Sequence, residues 1–173
     1  MLLVFGILCS CENDIAEINA LTKEVKSPIS VGKNVDLIYS EKGDVKIKIV
    51  APLMEEFGVE ENKYMEMTEG VKVEFYDSLL NITSTLTSNY AIHKVSKNIM
   101  EAKNDVIVIN DKGEVLNTEH LIWIQDSSKI YTNDFVKITT ADEIIIGEGM
   151  EANQDFTDWK IFNITGEINV KEE

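Results

Sequence analysis

Apolar and polar residues alternate with a period of two over much of the chain. Val45, Ile47 and Ile49 interleave with Lys46 and Lys48, and Val71, Val73 and Phe75 interleave with Lys72 and Glu74. That period turns one side chain inward and the next outward, which is the signature of a half-buried strand. Three later runs, Val106-Ile107-Val108-Ile109, Leu121-Ile122-Trp123-Ile124 and Ile144-Ile145-Ile146, have no polar side. They predict strands in contact on both faces, or with an outer face that meets another chain. Glu41-Lys42-Gly43-Asp44, Asn110-Asp111-Lys112-Gly113 and Thr140-Ala141-Asp142 join such runs with residues that tolerate turn geometry. No long helical pattern follows residue 30, so the fold class is all-β with short antiparallel strands.

The strands recur. Thr68-Glu69-Gly70-Val71, Lys103-Asn104-Asp105-Val106, Thr132-Asn133-Asp134-Phe135-Val136 and Thr165-Gly166-Glu167-Ile168 are variants of one word. Their apolar members Val71, Val106, Val136 and Ile168 are spaced 35, 30 and 32 residues apart, a period typical of stacked architectures. Leu86-Thr87-Ser88 returns as Leu116-Asn117-Thr118, and Ile99-Met100 returns as Ile130-Tyr131 and Ile161-Phe162. Units this short cannot cover their own apolar face, so each must lie on the next. The expected architecture is an elongated, open two-sheet roll of stacked rungs; an ordinary β-sandwich also spaces its strands regularly.

At 173 residues, one domain accounts for the chain. A formal charge of −15 has the wrong sign for neutralising a phosphate backbone, which argues against nucleic acid as a partner. Residues 1–10 are apolar or small and stop abruptly at Cys11-Glu12-Asn13-Asp14. Ten residues cannot span a membrane, and Leu8-Cys9-Ser10-Cys11 resembles the lipobox of a bacterial lipoprotein. The expected organisation is a signal peptide over 1–10, an acylated Cys11 followed by a tether over 11–34, and a β-domain over 35–173. No Lys or Arg precedes Lys23, a departure from the usual basic start of a signal peptide.

Catalytic motifs are not found. His93 and His120 fall where the repeat places Trp123 and Tyr90, which predicts packing roles. There is no nucleophile elbow, phosphate-binding glycine loop or zinc-protease motif, and the acidic pairs Glu55/Glu56 and Glu60/Glu61 lack calcium-loop spacing. Neither an enzyme nor a cofactor or metal is expected. A roll of this kind has inward Val, Ile and Leu either as a filled core or as a trough for hydrocarbon, and both use the same residue types.

The words Ala51-Pro52-Leu53, Gly70-Val71-Lys72-Val73-Glu74-Phe75-Tyr76-Asp77, Gly147-Glu148-Gly149-Met150 and Asn153-Gln154-Asp155-Phe156, with the segments 35–40, 83–91 and 129–140, resemble the LptC family of lipopolysaccharide-export proteins in its Bacteroidetes-type lipoprotein form. The resemblance runs from Cys11 to about Val170. It implies a twisted antiparallel β-jellyroll, open along one seam, lipid-anchored at the periplasmic side of the inner membrane. It further implies a non-enzymatic protein that takes lipopolysaccharide from the permeases of an inner-membrane ABC transporter and passes it to a soluble periplasmic LptA-like protein by edge-strand addition.

Combined with the period-two pattern, this suggests a lipid trough lined by Ile47, Ile49, Val73, Phe75, Leu86, Ile99, Val106, Val108, Leu121, Trp123, Ile130, Val136, Ile138 and Ile146. Lys46, Lys48, Lys94 and Lys97 are either rim cations for the charged sugars or part of a solvated face. The expected partner edge is the last strand, with Asn163, Ile164, Ile168 and Val170; the strand around Val35 to Ser40 is the other candidate edge. The competing reading is an envelope scaffold lipoprotein with a filled interior that binds only proteins.

Overall fold

The computed structural model describes residues 27–169. The signal peptide, Cys11, most of the tether and Val170 lie outside them. Eleven strands form one antiparallel sheet: β1 Ser30–Glu41, β2 Asp44–Phe57, β3 Tyr64–Met67, β4 Val71–Tyr76, β5 Ile82–Ser88, β6 Tyr90–Lys94, β7 Ile99–Asn110, β8 Val115–Ile124, β9 Lys129–Thr139, β10 Glu143–Asn153 and β11 Trp159–Asn169. The only helical pieces among the described residues are three single 3-10 turns. The fold is the all-β class expected, consistent with a β-jellyroll. The sheet starts at Ser30, inside the segment read as tether.

The pairing explains how one sheet becomes two facing layers. β2 pairs with β4 through residues 47–50 and with β3 through residues 55–57. β7 likewise pairs with β6 through its first half and with β5 through its second. Since β3 pairs with β6 and β4 with β5, the ring β2–β4–β5–β7–β6–β3 closes on itself. Each long strand therefore turns a corner midway and contributes half to a β3–β6 layer and half to a β4–β5 layer.

The corners coincide with the repeated words. Asn104 and Asp105 carry φ of 63° and 55° within β7, and Gly149 carries 78° within β10. Register shifts fall at the same places, between Lys103 and Val106, Thr118 and Ile122, and Glu148 and Met150. The polar and glycine residues recur because a strand that must bend needs backbone conformations that β-branched residues avoid. At the first hairpin, Lys42 and Gly43 both take positive φ, 54° and 93°, the turn whose twist matches a two-residue connection.

Between the layers, away from the β1–β2 end, the core is closely filled. Val106, Val136, Ile138, Leu116 and Met150 have no exposed surface, and the ring of Phe75 meets that of Trp123 edge to face across the layers at 5.4 Å. One row, Ile49–Val73–Leu86–Val108–Leu116–Ile138–Ile145, crosses seven strands of the β4–β5 layer. Its counterpart, Met65–His93–Met100–Trp123–Ile130–Ala152–Trp159, crosses the other layer.

Candidate functional site

Opposite the corners, the ends of the two layers form a seam. Along β7 to β11 this seam is shut by the 154–158 turn. Phe156 is fully buried there and stacks on Trp159. Asn110 Nδ2 donates to the Phe156 carbonyl at 3.0 Å, and Trp159 Nε1 donates to Glu114 Oε2 at 3.1 Å. Asn110 Oδ1 also accepts from the Lys112 and Glu114 backbone N–H groups, so one buried amide pins both the hairpin and the seam.

Beyond that turn, toward the β1–β2 end, the layers part around a cavity of about 750 Å³ that the turn borders through Gln154. Its walls are Leu37, Tyr39, Ile47 and Ile49 from one layer and Met54, Met65, Met67, Met100 and Trp123 from the other. His93 stands on the wall beside Met65 and Met100, and the rim carries Glu41, Lys46, Tyr76, Asn98, Gln125, Asp126, Ser128 and Gln154. The volume lies within the range of ligand pockets, about 300–1,000 Å³, and the cavity joins an apolar wall to a polar rim of similar extent. Four methionines give the wall flexible, polarizable side chains that can follow an irregular apolar ligand. β1 contributes exposed apolar residues on both faces, Leu37, Ile38 and Tyr39 among them, because only β2 pairs with it.

The residues expected to line a trough separate into three groups. Ile47, Ile49 and Trp123 line the cavity. Val73, Phe75, Leu86, Leu121 and Ile130 enclose a void of only about 10 Å³, and Val106, Val108, Val136 and Ile138 are at most 1% exposed; these nine are packed core with no open space beside them. Ile99 and Ile146 are corrections, since both face outward. Asn98 and Ser128 have matching φ of 51° and 53° at the ends of equivalent 3-10 turns. Ile99 is therefore equivalent to Lys129, and Met100 to Ile130. In β10, the pairing of Ile145 with the inward Ile138 sends Ile146 out beside Lys137.

Leu37, Tyr39, Met54, Met65, Met67 and Met100 were missed. Methionine is a weak strand former whose pattern signal is slight, whereas Leu116 was signalled by its match to Leu86. The matched positions do share rows, Tyr90 with His120 on the outward face and His93 with Trp123 on the inward one.

Of the rim cations, Lys46 reaches the cavity. Lys48 is paired on the outer face with Asp36 at 3.3 Å, and Lys94 with Glu101. Glu101 also binds Lys103 at 2.9 Å, with His120 Nε2 3.6 Å away. Burial opposes its charge, but the hydrogen bonds from Lys94 and Lys103 outweigh this and hold its carboxyl down at about 2. β11, with Asn163, Ile164 and Ile168, pairs only with β10 and leaves one edge open; β1 leaves the other. Among the described residues, no three His, Cys, Asp or Glu side chains gather as metal ligands would.

The chain matches the family model described as lipopolysaccharide-assembly, LptC-related, over residues 1–163. No curated protein matches it.

Proposed function

The chain belongs to the LptC-related family of lipopolysaccharide-assembly proteins, and from that premise we propose that it holds lipopolysaccharide acyl chains in the cavity between its layers during transfer. Membership makes it a lipopolysaccharide-transport component on the periplasmic side of the envelope, associated with the inner membrane, in a family of transport and binding proteins. In the finer reading, acylated Cys11 tethers the domain, ABC-transporter permeases deliver the lipid, and β11 receives an LptA-like partner by strand addition. One acyl chain anchors marginally and two anchor stably, so the anchor requires a multiply acylated Cys11.

The cavity is the observation that carries this reading. Each methylene moved from water into such a lining contributes about 0.8 kcal/mol, so a multi-chain lipid can be held without a large set of hydrogen bonds. Charged sugars remain at the rim, beside Lys46. The test is a photo-crosslinking scan in cells. Photoreactive residues at Ile49, Met54 and Met65 should crosslink lipopolysaccharide, and those at the outward Ile99 and Ile146 should not. Equal yields from the two sets would remove the cavity as the binding site.

The filled core from β7 to β10 favours a second reading, the protein-binding scaffold. Failure of the delipidated protein to take up any fluorescent fatty acid would select it.

A further inference from the structure

Two polar side chains on the cavity wall have nitrogen atoms without partners. Trp123 is 95% buried, and its Nε1 is covered and makes no hydrogen bond. His93 Nε2 is likewise covered and unpaired, while Gln125 hydrogen-bonds the other side of the same ring. A buried polar atom without a partner is costly and uncommon. Two of them stand on one row, separated only by Met100: His93 pairs with Met100, and Met100 with Trp123. Two strand spacings put their backbones roughly 10 Å apart.

We infer that His93 and Trp123 are the polar contacts of this cavity, and that they select an acyl chain bearing a hydrogen-bond donor and an acceptor, as an amide or a hydroxyl does, over bare hydrocarbon. The inference rests on the reading of the cavity as an acyl-chain site and adds its selectivity.

The two atoms are complementary in kind. Indole Nε1–H can only donate. Burial lowers the pKa of His93, and the bond to Gln125 opposes this. With the ring neutral and its Nδ1–H donated to the Gln125 side-chain carbonyl, Nε2 is left as an acceptor. The cavity thus offers one donor and one acceptor, either of which an amide (C=O and N–H) or a hydroxyl can meet and an unsubstituted chain cannot. Both nitrogens are covered, so a chain must displace wall side chains to reach them, and the neighbours on the row, Met65 and Met100, are flexible ones.

Displacement of a dansylated fatty acid from the full chain tests this with three competitors that share a 14-carbon acyl chain: myristate, β-hydroxymyristate and N-myristoylglycine. The two substituted chains should bind about five- to tenfold more tightly than myristate, the increment of one or two net hydrogen bonds. His93→Phe and Trp123→Phe should each remove that preference, read as the ratio of substituted-chain to myristate affinity within the same variant, whatever the change in myristate affinity itself. Equal binding of all three by the wild type, or a preference retained in both variants, overturns the inference while the acyl-chain reading stands. Binding of none overturns both.

A second measurement needs no cavity variant. In protein carrying ¹⁵N-tryptophan, β-hydroxymyristate should shift the Trp123 indole N–H downfield relative to myristate, with the Trp159 indole, already bonded to Glu114, as internal reference. Identical Trp123 shifts with both ligands overturn the inference independently.

Discussion

Replacing Phe156 by alanine tests whether the 154–158 turn is part of the structure that holds the layers together. The side chain has no exposed surface and stacks on Trp159 with ring centroids 6.5 Å apart. Its backbone carbonyl and N–H bind Asn110 and Asn153, contacts that alanine retains. The loss is therefore almost wholly the ring, and truncating a buried phenylalanine costs about 3–5 kcal/mol. Phe156 also has φ of 55°, a left-handed conformation that costs an L-residue roughly 1–2 kcal/mol.

That strain remains in the alanine variant and disappears in Phe156→Gly. Glycine should accordingly be less destabilising than alanine here, by up to about 1 kcal/mol after its greater unfolded-state entropy. With a urea m-value of about 2 kcal/mol/M, the alanine loss lowers the midpoint by about 2 M. Far-UV circular dichroism is the suitable probe, since tryptophan emission would report the altered stacking itself. An alanine loss below about 1.5 kcal/mol, or a glycine variant less stable than the alanine one, would show that the turn is a loose cover outside the cooperative core.

Four further outcomes follow from the same geometry. A Cβ at Gly147 would lie 2.5 Å from the Asn163 carbonyl oxygen and 2.5 Å from Ile161 Cγ2, so Gly147→Ala should cost about 1–3 kcal/mol and speed hydrogen exchange in β11 more than in β5. His93 has a lowered pKa in the fold, so the unfolded chain takes up the proton first, and stability, complete above about 6.5, falls as the pH drops below it; melting temperatures measured from about pH 7 to 5 should decline in the wild type and less in His93→Phe. Glu101, held at about 2 against an ordinary 4.5, adds stability that is present above 4.5 and lost as the pH falls toward 2, and Glu101→Gln should abolish that second decline at a cost of about 1 kcal/mol at neutral pH. Ile168→Pro removes a donor from the open strand β11 and should abolish pull-down of the LptA-like partner while the earlier strands stay folded; binding at wild-type level would move the contact to β1.

The all-β class and the stacking period were legible because both follow from alternation and from corner residues that local backbone geometry demands. Asn104 and Asp105 stand where β7 passes from layer to layer, and the sequence repeats their word for that reason, while Gly149 turns β10 at the same level outside the repeat. Facing was legible wherever polar residues marked the outside, as at Lys72 and Glu74. It failed at Ile146, in a run with no polar member, and at Ile99, where a one-residue slip in matching the repeats reverses the face. The correct register is set by Asn98 and Ser128, whose left-handed conformation a single sequence does not display.

Whether the interior was trough or core could not be read from residue type, since Val, Ile and Leu serve both. The structure divides the interior by what spans the seam. Where Asn110, Glu114, Phe156 and Trp159 join the two layers, side chains fill the gap; toward the β1–β2 end, beyond these contacts, the cavity opens. The same division appears in composition. Branched residues, stiff at χ1 and suited to a fixed packing, make up most of the closed stretch at Val106, Val108, Val136 and Ile138. Methionines 54, 65, 67 and 100, which can repack around a guest, make up much of the open wall. A cargo held at the β1–β2 end is separated from the β11 edge by that closed stretch. Handover through β11 therefore requires either passage along the seam mouth, outside the core, or release of the Phe156 turn. Locking the turn with a disulfide across the seam would block the second route and leave the first unaffected.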